Sequence, residues 1–421
     1  MMISRNYLAI AFGLAARSVA LTLLVMILAR VMGSDIYGGY AAAVSVANLI
    51  ATFSGLGATA LHVRDVARGS MDHRTSLGIA ASRVLRTATP LAAICVIVNW
   101  FAIPHNVPAL LVAIVAVGEI LSVIATDLAF RAMQAQERYI SMAVIAGIVP
   151  VIRLCLAVMA WFFDMLTFEV WAWMSFFTGL AALALVIRVV RQHTRGSFLN
   201  GNAQLKFSSS DALSGLGFTL STASARIHGD ADKVILARLA STSRAGQYAV
   251  AYRLTDVLTL PIVAAIEHLL PTLFRQGKSG FSESLRKLIP MIVLGLAGGG
   301  VLSAVGYFLA PLLPLLLGKS YEGSVEMARA LSLVPLTMAI WSMVRAVAGT
   351  TGHEKAMGAA ELTGASINVA MCILAVTVYG WLGAVYATYA THLSMSVGLL
   401  GWIVLQERRH SSKASLQKNF H

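Results

Sequence analysis

Long apolar runs, separated by short polar breaks, follow one another along almost the whole chain. They lie near 8–32, 38–60, 76–101, 107–132, 139–163, 168–190, 212–238, 246–272, 286–310, 325–349, 356–379 and 382–405. About 20 apolar residues are what an α-helix needs to cross a bilayer's hydrocarbon, and a helix satisfies its own backbone there. The pattern predicts an all-α polytopic membrane protein of about 12 transmembrane helices. The fourth, seventh and eighth runs read as the most polar. Of 421 residues, 58% are hydrophobic and 12% charged, against about 25% charged in soluble domains. Soluble enzymes, nucleic-acid-binding domains and secreted disulfide scaffolds are excluded. Cys95, Cys155 and Cys372 each lie within an apolar run and read as small buried hydrophobes.

The formal charge is +13, from 32 Lys and Arg against 19 Asp and Glu. With the N-terminus in the cytoplasm, 21 of these cations fall on the cytoplasmic side. The other side holds 5, namely Arg30, Arg238, Arg244, Lys319 and Arg329, and 6 lie within runs. Cytoplasmic loops are the basic ones, so both termini are expected in the cytoplasm. The excess charge then reports topology, and no nucleic-acid partner is called for. Only Arg5 precedes the first run and no small-residue cleavage site follows it, so a retained helix is expected there. The large interior polar break is Arg191–Ser210. It divides the chain into an N-terminal six-helix bundle (1–190), a cytoplasmic linker (191–210), a C-terminal six-helix bundle (211–406) and a basic cytoplasmic tail (407–421).

The halves echo each other. Ile27-Leu28-Ala29-Arg30, Gly38, Tyr40, Ala41 and Ala43 recur 208 residues later as Ile235-Leu236-Ala237-Arg238, Gly246, Tyr248, Ala249 and Ala251. Glu137-Arg138 is echoed by Glu354-Lys355, with the difference in offset assigned to a longer outer loop around Pro311–Ser324. Six spans per half give both halves the same orientation, related by an axis along the membrane normal with a shared cavity.

Ionisable groups at mid-membrane are costly and face cavities or partners. The cations are Arg17, Arg153, Arg226, Lys233, Arg253 and Arg345; the acids include Glu119, Asp127, Asp230, Asp232, Asp256 and Glu361. Local pairs are expected for Arg226 or Lys233 with Asp230, and for Arg253 with Asp256, by helical spacing. Arg17 and Arg153 have no acid within a turn, so their partners must come from elsewhere. Arg17 and Arg226 sit at similar depth before the shared Ile-Leu-Ala-Arg end. They are read as a paired cationic site for an anionic group, since guanidinium suits phosphate. Arg153, Arg345 and Lys233 complete the candidate substrate-binding set. Glu119, Asp127 and Asp232 are candidate coupling sites for a proton or Na⁺. Trp161, Trp171 and Trp173 read as an interfacial belt, and Gly295, Gly298, Gly299 and Gly300 as close helix packing. The histidines have no metal-ligand spacing, and no metal or other cofactor is expected. No phosphate-binding Gly-x-x-x-x-Gly-Lys-Ser/Thr loop occurs. With no catalytic constellation at a recognisable spacing, a non-enzymatic role in the helix bundle is expected.

Several segments resemble the polysaccharide flippases of the multidrug/oligosaccharidyl-lipid/polysaccharide (MOP) exporter superfamily. They are Leu28-Ala29-Arg30 with Tyr37-Gly38 and Tyr40, Ser54-Gly55-Leu56-Gly57, Asp232-Lys233 with Gly246 to Leu254, Leu316 to Ser324, Thr350 to Lys355, and Gly380 to Ala384. The resemblance implies a fold like that of multidrug and toxin extrusion (MATE) transporters, in the bacterial inner membrane. It implies a flippase that moves an undecaprenyl-pyrophosphate-linked repeat unit to the periplasmic leaflet for O-antigen or exopolysaccharide synthesis. Membrane lipid and other polysaccharide-assembly proteins are candidate partners. The alternative is a MATE-type cation-coupled multidrug antiporter, which calls for an unpaired acid in an otherwise uncharged cavity. A non-transporting partner of an assembly complex is a third reading.

Overall fold

A computed structural model describes residues 5–194, 209–277, 281–350 and 353–418. Most of the expected linker lies outside the described residues, as do Thr351-Gly352 of one resembling segment and the last three residues of the tail. Among the described residues every regular element is helical: α1 Arg5–Ala51, α2 Ala58–Ala67, α3 His73–Ala102, α4 Ala109–Gln134, α5 Tyr139–Phe162, α6 Phe168–Thr194 and α7 Ser209–Leu239. There follow α8 Thr242–Gly277, α9 Phe281–Leu309, α10 Leu312–Leu317, α11 Ser324–Ala330, α12 Val334–Thr350, α13 Glu354–Tyr379 and α14 Trp381–Lys418.

At 47 residues, α1 would be about 70 Å long if straight, more than twice the hydrocarbon thickness. It breaks at Gly33, whose φ of 69° lies where glycine is at home. Gly13 packs on Ala143 near the start of α5, and Thr59 donates to Asp127 near the end of α4 at 2.8 Å. Both therefore lie at the end of the fold that holds the α4–α5 turn. Asp35 accepts from Asn106 in the α3–α4 loop at 3.1 Å, at the opposite end. The chain thus crosses, turns at Gly33 and crosses back, which makes α1 two limbs and matches the first two apolar runs.

Among the described residues, seven helical stretches are long and apolar enough to cross a membrane, or eight when the bent pair Lys319–Ala330 and Val334–Ala348 counts as one span. One of the seven, Ala15–Ala67, holds both limbs of α1. The helices α7, α8 and α9 supply further long segments, consistent with about twelve. The fourth run corrects its expectation: α4 is among the most apolar helices. Its acids are isolated on an aliphatic helix whose Ile120, Ile124 and Leu128 form a buried stripe.

The packing forms two compact units: Met1–Val250 with Pro314–Gly323, and Ala251–Leu313 with Ser324–His421. In the first, α4 is central. It lies on α6 where Gly118 and Gly179 bring the two backbones together, the close approach that small residues permit. Its stripe packs with Val46 and Ala47 of α1 and Val84 of α3. Hydrogen bonds from side chains to backbone carbonyls tie Pro314–Gly323 to this unit. Arg30 donates to the Leu316 carbonyl at 2.6 Å. Tyr321, wholly buried, donates to the Ala29 carbonyl at 3.0 Å. Gln247 donates to the Ser320 carbonyl at 2.8 Å.

In the second unit, Trp341 and Val344 of α12 pack with Leu399 and Ile403 of α14. Asn368 of α13 donates to Thr391 of α14 at 3.2 Å. Gly380, at φ 58°, turns the chain between α13 and α14. Gly299 sits against Leu336 and Ala339 of α12, and Gly295 against Met343, whereas Gly298 and Gly300 face open space. Only the first pair fulfils the packing expected of all four. Two other expectations are corrected. Trp171 is completely buried, because its indole lies inward beside Tyr40 of α1, so it is no belt residue. Cys155 is exposed, unlike Cys95 and Cys372, because it lies on an outward face of α5.

Candidate functional site

The repeat brings its own two copies into contact. A methyl group on Gly38 would overlap the Thr242 carbonyl, and one on Gly246 would overlap the Ser34 carbonyl. The two contacts are related by the same 208-residue offset, 34 to 242 and 38 to 246. Ser34 and Ser243 share a hydrogen bond of 2.9 Å, and Asn106 donates to both Asp35 and Thr242. The second limb of α1 then runs antiparallel to α7. Ser45 donates to Asp230 at 3.3 Å, and farther along Gly57 lies against the Gly215 carbonyl.

Two polar clusters flank this limb. On one side, Arg153 of α5 is 7% exposed and pairs with Glu119 of α4. It also donates to Thr178 at 3.2 Å and to the Ser175 carbonyl at 3.4 Å, both on α6. Buried Tyr40 lies within the field of this pair. The partner of Arg153 thus comes from another helix, as its sequence context requires, and the guanidinium is fully engaged.

On the other side lies α7. Lys233 Nζ is 3.6 Å from Asp230 and 3.7 Å from Asp232, and it donates to the Gly229 carbonyl. Asp232 is 3% exposed. Its Oδ1 accepts the Lys233 backbone N–H at 2.8 Å, and its Oδ2 is buried. The ring of completely buried Tyr248 stands beside it. Lys233 takes Asp230, and the alternative Arg226–Asp230 pair does not form. Arg226 is half-buried on α7 and Arg17 half-buried on the first limb of α1.

The remaining candidates lie apart from these clusters. Asp127 is bound by Thr59 and pairs with Arg131 at 3.5 Å. In the second unit, Arg345 pairs with Glu361 at 2.8 Å, and Arg253 with Asp256 at 3.7 Å. Sequence reasoning did not select Tyr40, Tyr248 or Ser45 as site residues. The signal for the tyrosines was present: they are the matched tyrosines of the repeat, and each is buried against one charged cluster. Ser45 carried none, because one serine in an apolar run looks like any other.

Residues 5–276 match the model of the polysaccharide biosynthesis protein family. The chain belongs to that family. As a member of the polysaccharide biosynthesis family it also shares its fold with solved transporters. An inward-facing multidrug resistance MATE family transporter of the MOP superfamily aligns with TM-score 0.71 at 11% identity, over 96% of this chain and 98% of that one. The lipid II flippase MurJ in an inward closed conformation aligns with TM-score 0.69 at 11% identity, over 94% and 87%. The MATE multidrug transporter DinF-BH aligns with TM-score 0.61 at 15% identity, over 96% and 94%. A sequence search of curated proteins finds no match. At these identities the likeness carries the fold alone, and this family member is a multi-pass membrane protein with the fold of MOP transporters.

Proposed function

We propose that the protein is a flippase of the bacterial inner membrane for an anionic lipid-linked oligosaccharide. It carries an undecaprenyl-pyrophosphate-linked repeat unit from the cytoplasmic to the periplasmic leaflet by alternating access. The observation that carries this reading is the combination of a polysaccharide biosynthesis family with a transporter fold. A large polar glycan cannot cross hydrocarbon unaided, and buried cations lower the cost of its headgroup. We assign headgroup contact to Arg17 and Arg226; Lys233, the further candidate on α7, is already neutralised by Asp230 and Asp232. Arg226 makes no ion pair among the described residues, and guanidinium binds phosphate in a bidentate manner. Arg153 and Arg345 are assigned to holding helices, because Glu119 and Glu361 already neutralise them. Cation coupling is assigned to Asp232, a buried carboxylate on α7 with Tyr248 beside it. Glu119 and Asp127 are committed to arginines.

In this reading the halves 1–190 and 211–406 move about a cytoplasmic linker at 191–210, and both termini and the basic tail 407–421 are cytoplasmic. The test is flipping of a polyprenyl-pyrophosphate-linked oligosaccharide in proteoliposomes by wild type, Arg17→Ala and Arg226→Ala. Loss of transport by folded variants supports the headgroup assignment. Full transport by both moves the headgroup elsewhere. An inactive wild type that expels cationic dyes overturns the flippase reading in favour of a drug antiporter.

A further inference from the structure

The helices α5 and α6 follow each other in sequence and both touch α4, but they make little contact with each other, because α5 packs mainly on α1 and α6 mainly on α4. Between them lies a groove of about 540 Å³ with Leu156 on one wall. The other wall is α6, where Glu169, Trp173, Phe177 and Ala181 recur at intervals of four with Val170, Met174 and Thr178 beside them. Twelve residues of helix extend about 18 Å, slightly more than one leaflet of a hydrocarbon core about 30 Å thick. The groove is therefore about as long as one leaflet is thick. Its walls are apolar except at the end where Glu169 stands, in the first turn of α6, and at Thr178.

We propose that this groove binds one membrane phospholipid with an ammonium headgroup, the ammonium at Glu169 and an acyl chain along Trp173 and Phe177. Charge complementarity selects the occupant. Glu169 is exposed and makes no ion pair among the described residues, so it repels anionic lipids and the pyrophosphate of a lipid-linked sugar alike. Trp173 and Phe177 stack with centroids 6.0 Å apart and an interplanar angle of 27°. They form a flat wall for a chain, and the indole face one turn from Glu169 adds attraction for a cation. At the floor, Thr178 accepts the Arg153 hydrogen bond, so the lipid lies against the face of α6 that holds the Arg153–Glu119 pair. The inference rests on the groove and on membrane residence, and is independent of the transported substrate.

The test is native mass spectrometry of the full chain offered equal amounts of dioleoyl-phosphatidylethanolamine and dioleoyl-phosphatidylglycerol. The wild type should retain the ethanolamine lipid about fivefold more, the selectivity expected of one interfacial charge pair. Glu169→Gln should bring the ratio to about one. Ala181→Trp, which fills the inner end without touching Glu169, should lower retention of both lipids while keeping their ratio. Equal retention by the wild type, selectivity surviving in Glu169→Gln, or retention unchanged in Ala181→Trp would each overturn the proposal and leave annular lipid only.

Discussion

Arg153 and Glu119 are separated by 34 positions and meet only in the folded bundle. A buried charge deprived of its partner is worse than no charge, at about 3–5 kcal/mol. Arg153→Met alone and Glu119→Gln alone should therefore each lower the thermal midpoint strongly in detergent. The double variant Arg153→Met with Glu119→Gln should recover much of the loss, and a double variant no better than the worse single one would refute the pairing. Sequence inspection shows which residues are charged inside the apolar runs. It also gives the pairs that helical spacing creates, as for Lys233 with Asp230 and Arg253 with Asp256. It is blind to partners brought by another helix, and Glu119 and Arg153 therefore read as two separate candidates.

At the scale of elements, the glycine contacts decide how closely helices approach. Gly38→Ala and Gly246→Ala each place a methyl group on a backbone oxygen, which cannot yield as a side-chain tip can. Each should cost about 1–3 kcal/mol, the range for overpacking. Gly298→Ala, facing open space in mid-helix, should be neutral or stabilising by about 1 kcal/mol. Thermal midpoints of the three variants check this ordering. The hydrogen-bonded Ser34 and Ser243 are close enough for Ser34→Cys with Ser243→Cys to form a disulfide. If the two copies of the repeat part during each cycle, oxidation should stop transport and a reductant should restore it. Transport that continues through the cross-link would exclude movement at this contact. Hydropathy located the two limbs of α1 because the break at Gly33 falls between two apolar runs. The polarity expected of α4 does not hold, because two acids count for little on an otherwise aliphatic helix of 26 residues.

For the whole molecule, the distribution of Lys and Arg makes a topological prediction. A cysteine at Gly69, in the α2–α3 connection, should be protected from a membrane-impermeant thiol reagent in intact cells. One at Lys319 should react, and the reverse pattern would invert the orientation. The exposed Cys155 is first replaced by serine. The order of the spans and the duplicated Ile-Leu-Ala-Arg segment were legible because each is local in sequence. The docking of Pro314–Gly323 onto the first unit was not, because it rests mainly on backbone carbonyls at Ala29, Leu316 and Ser320, which no side-chain pattern announces. The reciprocal contact of Gly38 with Thr242 and Gly246 with Ser34 has a further meaning. A surface that meets its own copy is what holds a homodimer together, so the chain is built like two subunits fused end to end. A gene cut between residues 195 and 208 should then yield two polypeptides that find each other in the membrane and co-purify. Substitution of either glycine should weaken that reunion to the same degree.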